Sequence, residues 1–198
     1  VVEEYQYFFD GSRRVMEGLY RSYWDNGNRR EAGVFEHNHK SGDWTYYDEA
    51  GDLMMSSEVW KSGTMLRRMT YYENGVMRSE THFFADGDFS IYYFENGKKE
   101  REGAYRDGLE VGLWIWYYEN GNKKEEGNFR DGKWDGAWVW YRADGTMQYE
   151  RSYWNGIERG IWSWWDEHGH KTRQEIWQDG RLIEKINCLQ TPTTCGPG

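Results

Sequence analysis

The sequence has only two prolines and two cysteines among its 198 residues. No apolar run approaches the ~20 residues that a membrane-spanning helix needs. Few prolines beside 24 glycines suggest repeated tight turns in a backbone that keeps its N–H donors for pairing. Clusters of Lys or Arg are missing as well: 25 basic residues are scattered among 34 acidic ones, for a formal net charge of −9. Without a basic stripe, neither nucleic acid nor an anionic phospholipid surface is expected as the main partner. Helical periodicity is also absent, because Gly or Asn-Gly interrupts the chain about every dozen residues. What stands in their place is aromatic: 13 Trp, 16 Tyr and 8 Phe. Each such ring buries on the order of 150–250 Å², so a thin β-structure can still be stable.

No signal peptide is visible, but the chain begins at Val1 rather than Met, which leaves room for a removed leader. Cys188 and Cys195 are spaced for a small disulfide-closed loop, with two free thiols as the other reading. A disulfide would imply an oxidising compartment. The compartment therefore stays open, leaning towards extracellular or periplasmic.

Self-similarity settles the organisation. Gly27, Gly51, Gly75, Gly97, Gly121, Gly145 and Gly169 each follow an aromatic run and stand 24, 24, 22, 24, 24 and 24 residues apart. Asp107-Gly108, Asp131-Gly132, Asn155-Gly156 and Asp179-Gly180 form a second punctuation about eleven residues after the later glycines. Beyond it comes Gly-x-aromatic: Gly112/Trp114, Gly136/Trp138 and Gly160/Trp162, with Gly18/Tyr20, Gly42/Trp44 and Gly87/Phe89 earlier. The copy around Gly63 is degenerate, with Arg67 and Met69 where Gly and Trp are expected.

Asn-Gly and Asp-Gly between aromatic runs predict hairpins with type I′ turns. The expected fold is all-β: about seven tandem hairpins of ~24 residues in one elongated, twisted antiparallel sheet. Residues 1–180 form the array, and residues 181–198 form a non-repeat tail that could cap, link or dock. Alternation along a strand puts Trp114/Trp116, Trp138/Trp140 and Trp162/Trp164 on one face. With Trp44, these seven are expected to pack repeat against repeat. Tyr47, Tyr117, Tyr141 and Trp165 fall on the opposite face as a candidate binding surface.

The units resemble MORN repeats (membrane occupation and recognition nexus), in the bacterial variant found in proteins assigned to toxin–antitoxin systems. The resemblance is carried by Trp114-Ile115-Trp116-Tyr117-Tyr118-Glu119-Asn120-Gly121, then Glu126-Gly127-Asn128-Phe129-Arg130-Asp131-Gly132 and Lys133-Trp134-Asp135-Gly136-Ala137-Trp138. It spans about residues 5 to 180. It implies a protein-binding or dimerising scaffold, or a lipid contact that the acidic balance argues against.

Catalytic chemistry should show as a departure from the repeat, and no such departure is evident. His37/His39 and His168/His170 are spaced as pairs of metal ligands, but they fall in a loop and beside the Gly169 turn, so neither a metal nor a cofactor is expected. There is no nucleophile elbow and no phosphate loop opening a helix. The expectation is a non-enzymatic scaffold that binds a protein, or another copy of itself, through its aromatic face and sheet edges. Two alternatives stand beside it: an antitoxin or immunity protein binding a basic toxin, and a cell-surface glycan binder whose aromatic rows stack on sugars.

Overall fold

The computed structural model describes residues 2–189 and Cys195. Most of the C-terminal part of the tail, residues 190–194 and 196–198 with both prolines, lies outside the described residues. The chain divides into two compact units, Val1–Gly97 and Lys98–Gly198. Among the described residues every regular element is a strand, and every pairing is antiparallel, as the turn chemistry predicts.

The first unit is a meander of β1 (Val2–Asp10), β2 (Arg13–Tyr23), β3 (Arg29–Glu36), β4 (His39–Tyr47), β5 (Met54–Lys61), β6 (Thr64–Tyr71), β7 (Met77–Phe84) and β8 (Gly87–Tyr93). The second runs through β9 (Lys99–Arg106), β10 (Leu109–Tyr117), β11 (Lys123–Arg130), β12 (Lys133–Tyr141), β13 (Met147–Trp154), β14 (Ile157–Glu158), β15 (Gly160–Trp165), β16 (Lys171–Gln178) and β17 (Arg181–Asn187). Seven hairpins would give fourteen strands. The three extra come from β1, from a break at Arg159 that separates β14 from β15, and from β17, which pairs with β16 beyond the last repeat glycine.

Two kinds of turn alternate. Asp107, Asp131, Asn155 and Asp179 take φ of 52°, 50°, 53° and 48° ahead of a glycine that is also left-handed, the type I′ pair. His37-Asn38 makes the same turn (φ 50° and 66°) without any glycine, and His39 opens β4, so this pair does not lie in a loop as the sequence suggested. Several turns are tied to a neighbouring repeat. Gly132, Gly156 and Gly180 donate their N–H to the carbonyls of Glu110, Trp134 and Glu158, one repeat earlier. At the other rim Asn120 and Asn122 donate to the Ala143 carbonyl at 2.6 and 2.8 Å, one repeat later.

The glycines at 112 and 136 are not turns. They sit within β10 and β12 with φ of 65° and 78°, each in a bulge that breaks the register with the preceding strand. Two copies lack this bulge glycine. Around Gly63 the turn after Gly51 has one residue more and β6 one fewer, so Arg68, rather than Met69, comes to the tryptophan position opposite Glu58. Gly87 pairs directly with Phe84 at the turn, which removes two residues and explains the single 22-residue interval; Ser90, rather than Phe89, then takes the tryptophan position.

Candidate functional site

The packing of each repeat reduces to one pair. Trp44, Trp114 and Trp138 are each 1% exposed and lie against a mid-strand glycine of the strand before, Gly33, Gly103 or Gly127. A β-carbon on any of these glycines would stand 2.2 Å from the indole. The missing side chain is therefore the slot in which the ring lies. Each indole Nε1 also donates to the carbonyl of the next residue: Val34 at 3.2 Å, Ala104 at 3.1 Å and Asn128 at 3.1 Å. Trp116, Trp140 and Trp164 are half-buried. The first two pack on Trp138 with centroids 5.7 and 5.9 Å away, and Trp164 lies 6.3 Å from Trp162.

Where the glycine is replaced, Trp162 keeps its place while the other partners change. Arg151 stands in the slot before Trp162, its guanidinium 4.5 Å from that ring; Trp162 is turned 58° from Trp164, whereas Trp138 and Trp140 are 34° apart. Thr81 faces Ser90, hydroxyl to hydroxyl at 2.9 Å. Twice the glycine becomes a buried carboxylate: Glu58 opposite Arg68, and Glu175 opposite Lys185. In both places the residue two further on is tryptophan, and its Nε1 donates to the carboxylate, Trp60 at 2.9 Å and Trp177 at 3.1 Å. Glu58 also accepts from Arg68 Nε and Nη2 (3.0 and 2.8 Å) and from the Tyr46 hydroxyl (2.6 Å). Burial pushes the Glu58 carboxyl up, but Tyr46, Arg68 and Trp60 together outweigh it and hold it below its ordinary value. These departures went unread in the sequence, although they carry a signal: Glu-Val-Trp at 58–60 and Glu-Ile-Trp at 175–177 stand where other copies read Gly-x-Phe or Gly-x-Tyr.

The opposite face is internally paired. Tyr117 and Tyr141 are half-buried, and their hydroxyls donate to Glu102 and Glu126 at 2.6 Å each. Lys99 and Lys123 bind the same carboxylates at 2.7 Å. The carbonyls of Tyr47, Tyr141 and Trp165 accept from Trp24, Tyr118 and Arg142, one repeat earlier. Two of the four residues that the sequence offers for binding, Tyr117 and Tyr141, thus stand in Tyr–Glu–Lys triads, whereas Tyr47 and Trp165 have Arg29 and Lys171 over their rings at 5.5 and 5.7 Å.

These triads set a pH window. Burial raises Glu102 and Glu126, but the lysine and tyrosine hydrogen bonds outweigh it and bring both below 4.5. Their stabilisation is present above that value and is lost as pH falls through the lower folded value. Tyr117 and Tyr141 are raised above 10.0 by burial and then by the glutamate hydrogen bonds, so their share is full below 10.0 and is lost at more alkaline pH. Stability to urea should be flat between these limits and fall on both sides, with Tyr117→Phe plus Tyr141→Phe weakening the alkaline fall. An unchanged alkaline fall in that double variant would exclude the triads as its cause.

All seven turn glycines, Gly27, Gly51, Gly75, Gly97, Gly121, Gly145 and Gly169, have φ between 78° and 95°. Cys188 and Cys195 are joined in a disulfide and are 5% exposed. Cys188 N–H donates to the Thr172 carbonyl and Lys171 Nζ to that of Cys195. The loop is thereby anchored on β16. Among the described residues no group of three or more His, Cys, Asp or Glu is placed to hold a metal. His170 accompanies Asp166 in the Gly169 turn at 3.3 Å.

Four stretches of the chain, residues 16–37, 67–85, 110–131 and 134–155, match the model of the MORN repeat variant. No curated protein matches it. Among solved structures it is similar to a point mutant of S. aureus TarM in complex with fondaparinux, alpha-GlcNAc-glycerol and UDP. That similarity runs at 8% identity and a TM-score of 0.30, over 71% of this chain and 24% of that one. The chain spans about a quarter of that protein, and so loose a likeness bears on neither fold nor activity.

Proposed function

This is a MORN-repeat chain, and from that premise we propose a non-catalytic scaffold that associates with protein, including further copies of itself, through its tryptophan face. MORN repeats are modules that bind proteins or membranes and form a non-catalytic family. One observation carries the finer reading. Tyr46, Trp60, Trp116, Trp134, Trp140 and Trp164 are all only partly buried, although the core tryptophans beneath them are sealed. Partly exposed Trp and Tyr on a rigid sheet are the residues most often found as binding anchors.

Light scattering of the full chain, from dilute to concentrated solution and with or without reductant, tests this. The expected result is a mass that climbs with concentration. The climb should survive Leu113→Glu plus Ile161→Glu, since these side chains are 51% and 54% exposed and stand next to the buried tryptophans, pointing to the other face. A monomeric mass throughout, or association abolished by that pair, would contradict it.

A further inference from the structure

Both places where glutamate replaces the slot glycine gather a cation against aromatic rings. In the first unit, Lys40 Nζ stands 4.1, 5.2 and 5.3 Å from the ring centroids of Trp44, Tyr46 and Trp60. It donates to Tyr46 Oη at 2.7 Å, and Tyr46 passes its own proton's hydrogen bond on to Glu58. The phenol oxygen is thereby committed as a donor on one side and free to accept from an ammonium on the other. Trp60 is pinned by its own bond to the same carboxylate, so two of the three rings are held by Glu58. An open hollow of about 560 Å³ adjoins the cage, with Met55, Met65, Ser56 and Thr70 in its lining.

The second unit has a simpler version, with one ring in place of three. The Arg173 guanidinium lies 3.7 Å from the centroid of Trp164, and Glu175 binds Trp177 Nε1 and, at 3.3 Å, Lys185 Nζ. A hollow of about 520 Å³ adjoins it, lined by Trp164, Arg173, Lys185, Ile186 and Leu189 among others.

Neither cation is demanded by the repeat. The place of Lys40, second in its strand, is taken by Glu110 in β10, Trp134 in β12 and Glu158 in β14. Where it is Trp134, an indole stacks on the core tryptophan at 4.4 Å in place of the ammonium. The position of Arg173, paired with Trp164, is Tyr149 in the copy before, paired with Trp140. Ring faces backed by a carboxylate attract cations, most strongly where water is partly excluded. Lys40 stands in a cage of three rings whose carboxylate is also bound by Arg68, and Arg173 lies on the single ring of Trp164.

We propose that these two hollows are receptors for lysine- or arginine-type side chains of a protein partner, with Lys40 and Arg173 as built-in occupants that the incoming cation replaces. This rests on the protein-binding reading above and gives it a partner chemistry: basic side chains, which the net charge of −9 also favours. The displaced side chain stays tethered beside the hollow, so the incoming cation must fit the rings better than the occupant it replaces.

The test uses the full chain and small probes. Tetramethylammonium chloride is titrated while the indole N–H signal of Trp60 is followed by NMR, with neopentyl alcohol as an uncharged probe of similar shape. Lys40→Ala, which empties the cage, should bind tetramethylammonium about tenfold more tightly than the unsubstituted protein, and the alcohol should bind neither. Adding Trp60→Leu should abolish the gain. Arg173→Ala, read at Trp164 with methylguanidinium, makes the same test in the other unit, should Lys40→Ala disturb its own fold. Equal affinity before and after emptying the cages, or equal binding of the alcohol, would overturn the proposal. Self-association measured by light scattering would be untouched by that failure, so the two readings fall separately.

Discussion

Alanine in place of Gly127 is expected to destabilise the protein by about 1–3 kcal/mol, the cost of forcing volume into a filled site. The expected sign is the informative part. Glycine within a strand is ordinarily the weaker residue, by roughly 0.5–1 kcal/mol relative to alanine, so a neutral site would gain from the change. Here the new β-carbon would stand 2.2 Å from Trp138 Cδ2, and the ring has little room to retreat. Trp134 is stacked on it at 4.4 Å, and Phe129 meets it edge-on at 5.0 Å. At Trp162, where Arg151 fills the slot, the indole keeps its hydrogen bond to the Ser152 carbonyl at 3.2 Å and stacks on Trp177 at 4.5 Å. Position 153, opposite Trp134, is a tyrosine at 4.9 Å, so the Trp138 copy has a different set of neighbours to rearrange. Gly33→Ala and Gly103→Ala should behave alike. Urea or thermal unfolding of each variant checks this.

Trp138→Ala should cost more, about 3–5 kcal/mol, as for other buried aromatic truncations. Three losses combine: a ring that is 1% exposed, the hydrogen bond from Nε1 to the Asn128 carbonyl, and contacts to the Trp116, Trp134 and Trp140 rings. Trp154→Ala provides the contrast. That ring is 53% exposed and is covered chiefly by the Arg130 guanidinium at 4.9 Å. Its loss should cost no more than about 1 kcal/mol, the scale of an exposed cation–π contact. Comparable losses at both positions would mean that burial is not what distinguishes them.

Much of the fold was legible because turns are local. A type I′ turn needs two left-handed residues, and Asp-Gly or Asn-Gly states that need in two letters. The alternation Trp114-Ile115-Trp116-Tyr117 likewise fixed the two faces. The His37-Asn38 turn was missed because it uses no glycine. The bulge glycines looked like further punctuation, since a left-handed glycine within a strand and one in a turn read alike from sequence. Gly33, Gly103 and Gly127 were passed over for the opposite reason. Their backbone is ordinary strand, and what requires glycine is an indole from the next strand. The signal was present, because a mid-strand glycine recurring in register marks a close approach.

The candidate site was less legible. Lys40, Glu58 and Arg68 lie 18 and 10 residues apart in a copy whose turn gained a residue and whose bulge lost one. Alignment on the glycines alone put Met69 where Arg68 belongs. The hydroxyl-to-carboxylate pairs of the opposite face join residues 15 apart on neighbouring strands, so the partners of Tyr117 and Tyr141 could not be read from spacing along one strand.

The coupling between Gly127 and Trp138 tests the account most directly, because the repeat architecture and the meaning of its departures both depend on that pair. Unfolding free energies are needed for Gly127→Ala, Trp138→Ala and the double variant. The account predicts that alanine at 127 is destabilising beside Trp138 and neutral or stabilising once the indole is gone, a coupling of at least about 1 kcal/mol. Equal costs of Gly127→Ala in the two backgrounds would show that the glycine is not the slot for the ring, and would remove the ground for treating Glu58 and Glu175 as departures from it.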